Sequence, residues 1–269
     1  MSAAAPEPAS HVPDGPVPSS EEGRRLLDLV KVMARLRAPG GCPWDADQTH
    51  ATLARHLLEE THELLEAIDR GDADAIRDEL GDLLLQVVFH AQISSDGGSW
   101  DVDDVARRLV EKLIHRHPHV FGDVDVSGPD EVLVNWERLK AEEAGERPAV
   151  EDDIPATLPA LARAAKVQRR AAGWGVAWPS ADAAAKAARE EVEALSGDAQ
   201  DAEERVGRLL FAAVAAARAH GVDAESALRR TTSGFADRFE RSMEERGDAP
   251  DEPFDEGRLR ALLAGTDAD

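Results

Sequence analysis

Hydrophobic positions recur at three- and four-residue spacing along almost the whole chain, and strict apolar/polar alternation is nearly absent. That period belongs to the α-helix, in which residues i, i+3, i+4 and i+7 share a face. Over 50–69, Leu57, Leu58, Thr61, Leu64, Leu65 and Ile68 form one apolar stripe. Over 73–95, Ile76, Leu80, Leu83, Leu84, Val87 and Ala91 form another. The run Leu83-Leu84-Leu85-Gln86-Val87-Val88-Phe89 makes this second helix apolar almost all round, which predicts that it is buried. Further helices are expected over 20–37, 101–116 and 129–144, then over 159–172, 180–196, 202–220, 224–246 and 255–264. Ser20, Asp69-Arg70-Gly71, Asp96-Gly97-Gly98 and His117-Pro118 mark their ends. The fold class is all-α.

The helices fall into two sets. Residues 1–19, rich in Pro, Ala and Ser, read as a disordered tail. Pro148, Pro155 and Pro159 mark a linker over 148–158, between a first helical domain at 20–147 and a second at 159–269. The halves resemble one another. Leu80-Gly81-Asp82-Leu83-Leu84-Leu85 matches Val206-Gly207-Arg208-Leu209-Leu210-Phe211, Glu59-Glu60 matches Glu190-Glu191, and Cys42-Pro43-Trp44-Asp45 has a loose echo in Val176-Ala177-Trp178-Pro179.

Charge narrows the function classes. With 54 acidic against 31 basic residues the net charge is −23, which excludes the basic face that nucleic acid or an anionic membrane requires. Cys42 is the only cysteine, so no disulfide forms within the chain and a reducing compartment is expected. No secretory leader pattern and no apolar run of membrane-spanning length are present, so the expected location is the cytoplasm.

The acidic residues are not evenly spread. Glu59-Glu60-x-x-Glu63 is answered by Glu79-x-x-Asp82. On a helical wheel Glu60 and Glu63 fall beside the first apolar stripe, and Glu79 and Asp82 stand at the same angle to the second. A solvated acidic face accounts for Glu59 and Glu66. It accounts poorly for four matched carboxylates beside a helix with so little polar surface. Converging carboxylates raise one another's pKa values unless a cation neutralises them, and an all-oxygen donor set suits Mg²⁺ or Mn²⁺. In the second half the corresponding positions are Ala194 for Glu63, Arg205 for Glu79 and Arg208 for Asp82. Two arginines cannot hold such an ion, so they are expected to pair with Glu190 or Glu191 instead. The second half then reads as structural.

At these residues the chain resembles the MazG family of nucleoside triphosphate pyrophosphohydrolases, whose signature is EExxE followed by ExxD. The surroundings carry most of the likeness: Leu36-Arg37-x-Pro39-Gly40-Gly41-Cys42-Pro43-Trp44-Asp45-x-x-Gln48-Thr49, then Glu79-Leu80-Gly81-Asp82, His115-Arg116-His117-Pro118-His119-Val120-Phe121, and Asn135-Trp136-Glu137-x-x-Lys140. The resemblance implies tandem four-helix-bundle-like domains, a homodimer, and hydrolysis of nucleoside triphosphates to monophosphate and pyrophosphate. Its metal ligands map onto Glu60, Glu63, Glu79 and Asp82, with Glu59 as an outer carboxylate or water-orienting group. Lys112 and Arg116, four apart on one face, are the expected phosphate clamps, with Lys140 a third. Trp44 and Trp136 are expected base platforms, and Asp45 and Gln48 further substrate contacts. Other readings stand beside these. Trp44 is equally a loop anchor, Lys112 and Arg116 also suit a helix C-terminus, and His115, His117 and His119 read as packing at a helix end broken by Pro118. The alternative for the whole chain is a helical scaffold that binds a nucleotide or partner without catalysis.

Overall fold

The structure is a computed structural model and describes residues 24–128, 131–132, 135–136, 139, 149–152, 154–195, 201–246 and 256–265. The expected tail at 1–19, most of the expected helix at 129–144 and Lys140 lie outside the described residues. All regular structure among the described residues is helical, and the chain divides into two compact units, Met1–Gly145 and Glu146–Asp269.

The first unit contains α1 (Arg24–Arg37), α2 (Pro43–Asp47), α3 (His50–Arg70), α4 (Ala73–Asp96), α5 (Val102–Arg116) and α6 (Pro118–Phe121). The periodicity did not resolve α2 and α6, which are single turns, each opened by a proline suited to a first helical position. Thr49 caps α3 through a reciprocal box with Thr52: each side chain accepts from the other's backbone N–H, at 3.2 and 2.9 Å. The helix ends at Gly71, whose φ of 69° is the left-handed conformation that glycine adopts without a Cβ penalty. Asp72 follows at once and caps α4 by accepting from Asp74 and Ala75. This two-residue turn folds α3 and α4 into an antiparallel hairpin.

Met33 from α1, Leu53 from α3 and Val88 and Phe89 from α4 form the core, each 3% exposed or less. Burying a side chain such as Leu53 completely is worth roughly 2 kcal/mol relative to leaving it in water. One expectation is overturned here: α4 is not buried all round. Leu80, Leu84 and Val87 are 51, 40 and 45% exposed, and on α3 Leu58 and Ile68 are 60 and 50% exposed. The apolar stripe is covered only toward the C-terminal end of α4, where Val88 and Ala91 are buried, and its earlier residues Leu80, Leu84 and Val87 have no full cover among the described residues.

The second unit contains α7 (Ala160–Gly173), α8 (Ala181–Leu195), α9 (Ala202–Ala219), α10 (Ala224–Arg246) and α11 (Glu256–Ala264). Among the described residues its buried apolar side chains are Ala184 of α8 and Ala212, Val214 and Ala215 of α9, small enough to let these two helices approach closely. Gln168 of α7 is buried with its amide satisfied, donating to the Phe211 carbonyl at 2.7 Å and accepting from Arg218 at 3.3 Å.

Candidate functional site

The α3–α4 turn sets the register of the acidic residues. Glu63 and Glu79 lie eight residues on either side of Gly71, and Glu60 and Asp82 lie eleven on either side. Antiparallel helices with equal rise bring such pairs to the same height. Side-chain oxygens of Glu60, Glu79 and Asp82 do converge, all within 4.8 Å of one another. Glu63 lies outside this three-residue grouping but near enough for its charge to act on both Glu60 and Glu79. Burial pushes the Glu60 carboxyl up from its ordinary value, and the charges of Asp82, Glu63 and Glu79 push it further. Glu79 is raised in the same way, by burial first and then by Glu63 and Asp82, with Arg70 opposing. Three hard oxygen donors in reach of a single ion, without a cation among them, match the donor chemistry of a magnesium-like ion. Glu59 stands outside this group, 60% exposed and paired with His56 Nδ1 at 3.0 Å.

The loop between α1 and α3 folds back on the end of α1. Gly40 has φ 75°, and Cys42 N–H donates to the Leu36 carbonyl at 2.7 Å. A Cβ on Gly41 would lie 2.1 Å from the Leu36 carbonyl oxygen, so only glycine fits. Arg37 then locks the loop. Its side chain, 9% exposed, pairs with Asp96 at 2.7 Å, donates to the carbonyls of Asp45 and Gln48, and stacks its guanidinium 5.7 Å from the centre of the Phe89 ring. Trp44 is held edge-on to Phe89 and His56, at 6.5 and 6.2 Å, and remains 53% exposed. It is therefore anchored and still presents surface. The Gln48 amide is engaged locally, donating to the Trp44 carbonyl at 3.0 Å and accepting from the Thr52 hydroxyl at 2.7 Å.

At the other end of the unit, the Arg116 guanidinium lies 5.4 Å from the Trp136 ring centre, and His117 meets the same ring edge-on at 4.9 Å. His117 also lies 2.6 Å from the Leu113 carbonyl through Nδ1, and its ring tilts against His119 at 5.6 Å. These histidines pack. Among the described residues the only metal-type grouping of His, Cys, Asp or Glu is Glu60, Glu79 and Asp82. Lys112 is exposed one turn before Arg116, and Lys140 lies outside the described residues. Two residues escaped the sequence reading. Arg37 stood inside a recognised motif without a role of its own. Gln86 passed as part of an apolar run, yet it is 5% exposed and its Oε1 is buried without a hydrogen-bond partner. A lone amide in a run of leucine and valine was the available signal.

In the second unit Arg208 donates from Nε to Glu191 Oε1 at 2.7 Å and from a terminal nitrogen to Oε2 at 3.3 Å, while Arg205 lies 3.6 Å from the same carboxylate. Arg208 also pairs with Glu204. The guanidinium of Arg208 holds Glu191 below the usual carboxylate range. The expected pairing of Arg205 and Arg208 with a carboxylate is present, and Glu191 is the carboxylate used.

An all-helical hairpin that gathers hard oxygen donors at one height defines the class of protein. The chain belongs to the MazG family: the model of the MazG nucleotide pyrophosphohydrolase domain matches residues 48–121, and full-length relatives match most of the chain. It is 44% identical over 221 residues to the nucleoside triphosphate pyrophosphohydrolase of Escherichia coli K12, covering 78% of this chain and 84% of that protein. It is 43% identical over 228 residues to the Thermotoga maritima protein named nucleoside triphosphate pyrophosphohydrolase/pyrophosphatase MazG, covering 84% and 88%. To the nucleoside triphosphate pyrophosphohydrolase of Mycobacterium tuberculosis H37Rv it is 48% identical over 156 residues, covering 57% and 47%.

Proposed function

We propose that this chain is a Mg²⁺-dependent nucleoside triphosphate pyrophosphohydrolase that converts NTP or dNTP and water to the monophosphate and pyrophosphate, with nucleotide-pool house-cleaning as its role. The convergence of Glu60, Glu79 and Asp82 within 4.8 Å carries this reading. Glu60, Glu79 and Asp82, with Glu63 at their edge, would hold Mg²⁺, with Mn²⁺ as a substitute. Bound there, the ion would neutralise charge on the polyphosphate and acidify a coordinated water. Lys112 and Arg116, with Lys140, supply the local positive charge that a chain of net charge −23 otherwise lacks for a polyanion. Trp44 offers an exposed ring to the base from a loop fixed by Arg37, and Trp136 a second ring beside Arg116, with Asp45 and Gln48 shaping the loop. Water attacks the α-phosphorus, the bond to the bridging oxygen breaks, and pyrophosphate leaves with that oxygen. Glu59 serves as the outer carboxylate.

The uncovered apolar face of α3 and α4 supports a homodimer, and the single cysteine fits a reducing cytoplasm. No helix among the described residues is long and apolar enough to cross a membrane. The second unit, its carboxylates replaced by paired arginines, serves as structure. The test is product analysis over a panel of NTPs and dNTPs with Mg²⁺, for the wild type and for Glu60→Gln with Asp82→Asn. Monophosphate and pyrophosphate from the wild type alone are expected. Binding without turnover by the wild type would favour the non-catalytic scaffold, and equal turnover by both proteins would remove the site from α3 and α4.

A further inference from the structure

The orphaned amide of Gln86 occupies a particular place on α4. Steps of 100° per residue put Glu79, Asp82, Gln86 and Phe89 within one arc of about 80° on the helix surface. Gln86 is four residues beyond Asp82, about 6 Å of helix rise, and three residues short of Phe89, about 4.5 Å. Asp82 belongs to the carboxylate cluster and Phe89 carries the edge of Trp44. Long side chains on a helix lean back toward its N-terminus, which for Gln86 is the direction of Asp82. A buried acceptor with no partner is costly and rare, and Gln86 Oε1 is one of the few here. In the second unit, where Ala194, Arg205 and Arg208 stand at the positions of Glu63, Glu79 and Asp82, the matching position is Ala212. The amide is absent from the half that has also lost three of the four carboxylates.

We propose that Gln86 reads the sugar of the bound nucleotide. Its amide takes a ribose or deoxyribose hydroxyl, between phosphates at Glu60, Glu79 and Asp82 and a base at Trp44. The order along α4 is the order along the substrate: phosphate, sugar, base. A hydroxyl satisfies the orphaned oxygen, and rotation about the last side-chain torsion lets the amide offer its N–H instead where an acceptor is presented. This assignment rests on the pyrophosphohydrolase reading and adds a residue to it.

The experiment compares wild type, Gln86→Met and Gln86→Leu with Mg²⁺ on a ribonucleoside triphosphate and the 2′-deoxy and 2′,3′-dideoxy forms of the same base. Methionine keeps the length of the side chain and packs adaptably, which guards against a folding failure. The expected result is a wild-type preference of roughly tenfold for hydroxyl-bearing substrates, the size of one lost hydrogen bond. In both variants it should collapse toward unity, through a raised KM more than a lowered kcat. Mn²⁺ affinity without nucleotide should match the wild type. Equal losses on all three substrates would mark Gln86 as a packing residue, and a preference that follows the base would place the amide elsewhere; either overturns the assignment while leaving the reaction intact. A wild type that releases no pyrophosphate from any of them would overturn the reaction and this assignment together.

Discussion

Arg208 grips Glu191 with two nitrogens, at 2.7 and 3.3 Å, at the position where the first half has Asp82 beside Glu60. Glu191, Arg205 and Arg208 match Glu60, Glu79 and Asp82 one for one. Both hairpins thus solve the same problem, a carboxylate facing its neighbour helix. One leaves an anionic cluster suited to a cation, and the other supplies guanidinium groups from the chain itself.

If that equivalence is physical, the second hairpin can be converted. In a chain whose first cluster is silenced by Glu60→Gln and Asp82→Asn, the changes Arg205→Glu and Arg208→Asp would regroup three carboxylates. Mn²⁺ should then raise the melting temperature, as it does not in the silenced parent. Identical melting with and without Mn²⁺ in both would show that the two hairpins differ in geometry as well as in residue type.

The clustered carboxylates also set a pH dependence. Glu60 and Glu79 titrate above 4.5 in the folded chain, so on raising the pH the unfolded chain loses these protons first. In that window the folded state binds more protons, and the contribution of the pair to stability falls as pH rises. Without metal, Glu60→Gln should therefore stabilise the protein increasingly from about pH 4.5 upward, until the folded carboxyls have also ionised. Added Mg²⁺ should reverse the order, because the ion needs the ionised ligands. Melting curves in EDTA and in Mg²⁺ across this range check it, and a mutant effect independent of pH would show that these carboxyls do not repel one another.

The acidic residues were legible because helical periodicity and a short turn fix height and angle together; Glu60, Glu79 and Asp82 needed no longer-range information. The exposure of Leu80, Leu84 and Val87 was not legible, since an apolar residue facing a missing partner and one facing a core read alike in sequence. Arg37 was hidden for a different reason. Its partners come from two segments, Asp45 and Gln48 at α2 and Asp96 at the end of α4, and its action on Trp44 is a tertiary effect of backbone carbonyls that no side-chain pattern encodes.

Arg37 therefore offers a separable test of the loop. Arg37→Lys keeps the charge but cannot span Asp96 and two carbonyls with a planar fork. The substitution should raise KM for nucleotide by roughly tenfold, as a lost charge-assisted contact would, while Mn²⁺ binding at the carboxylates is unchanged. Quenching of tryptophan fluorescence by acrylamide should increase as Trp44 loosens. A fall in kcat with KM and quenching unaltered would place Arg37 outside base positioning.

The apolar face of the hairpin makes the last prediction. Leu58 at 60%, Leu80 at 51% and Leu84 at 40% exposure leave an apolar face open among the described residues, the kind of surface that marks an interaction site. A second copy supplies the complementary face most directly, because antiparallel hairpins stacked about a twofold axis give a four-helix bundle with an isologous interface. Leu84→Glu would place a charge in that interface without touching the core of Met33, Leu53, Val88 and Phe89. Light scattering coupled to size exclusion should show the wild type at twice its 29.0 kDa chain mass and the variant at the chain mass with its helical content kept. A wild type that runs as a single chain at micromolar concentration would mean that this face is covered by something other than its own copy.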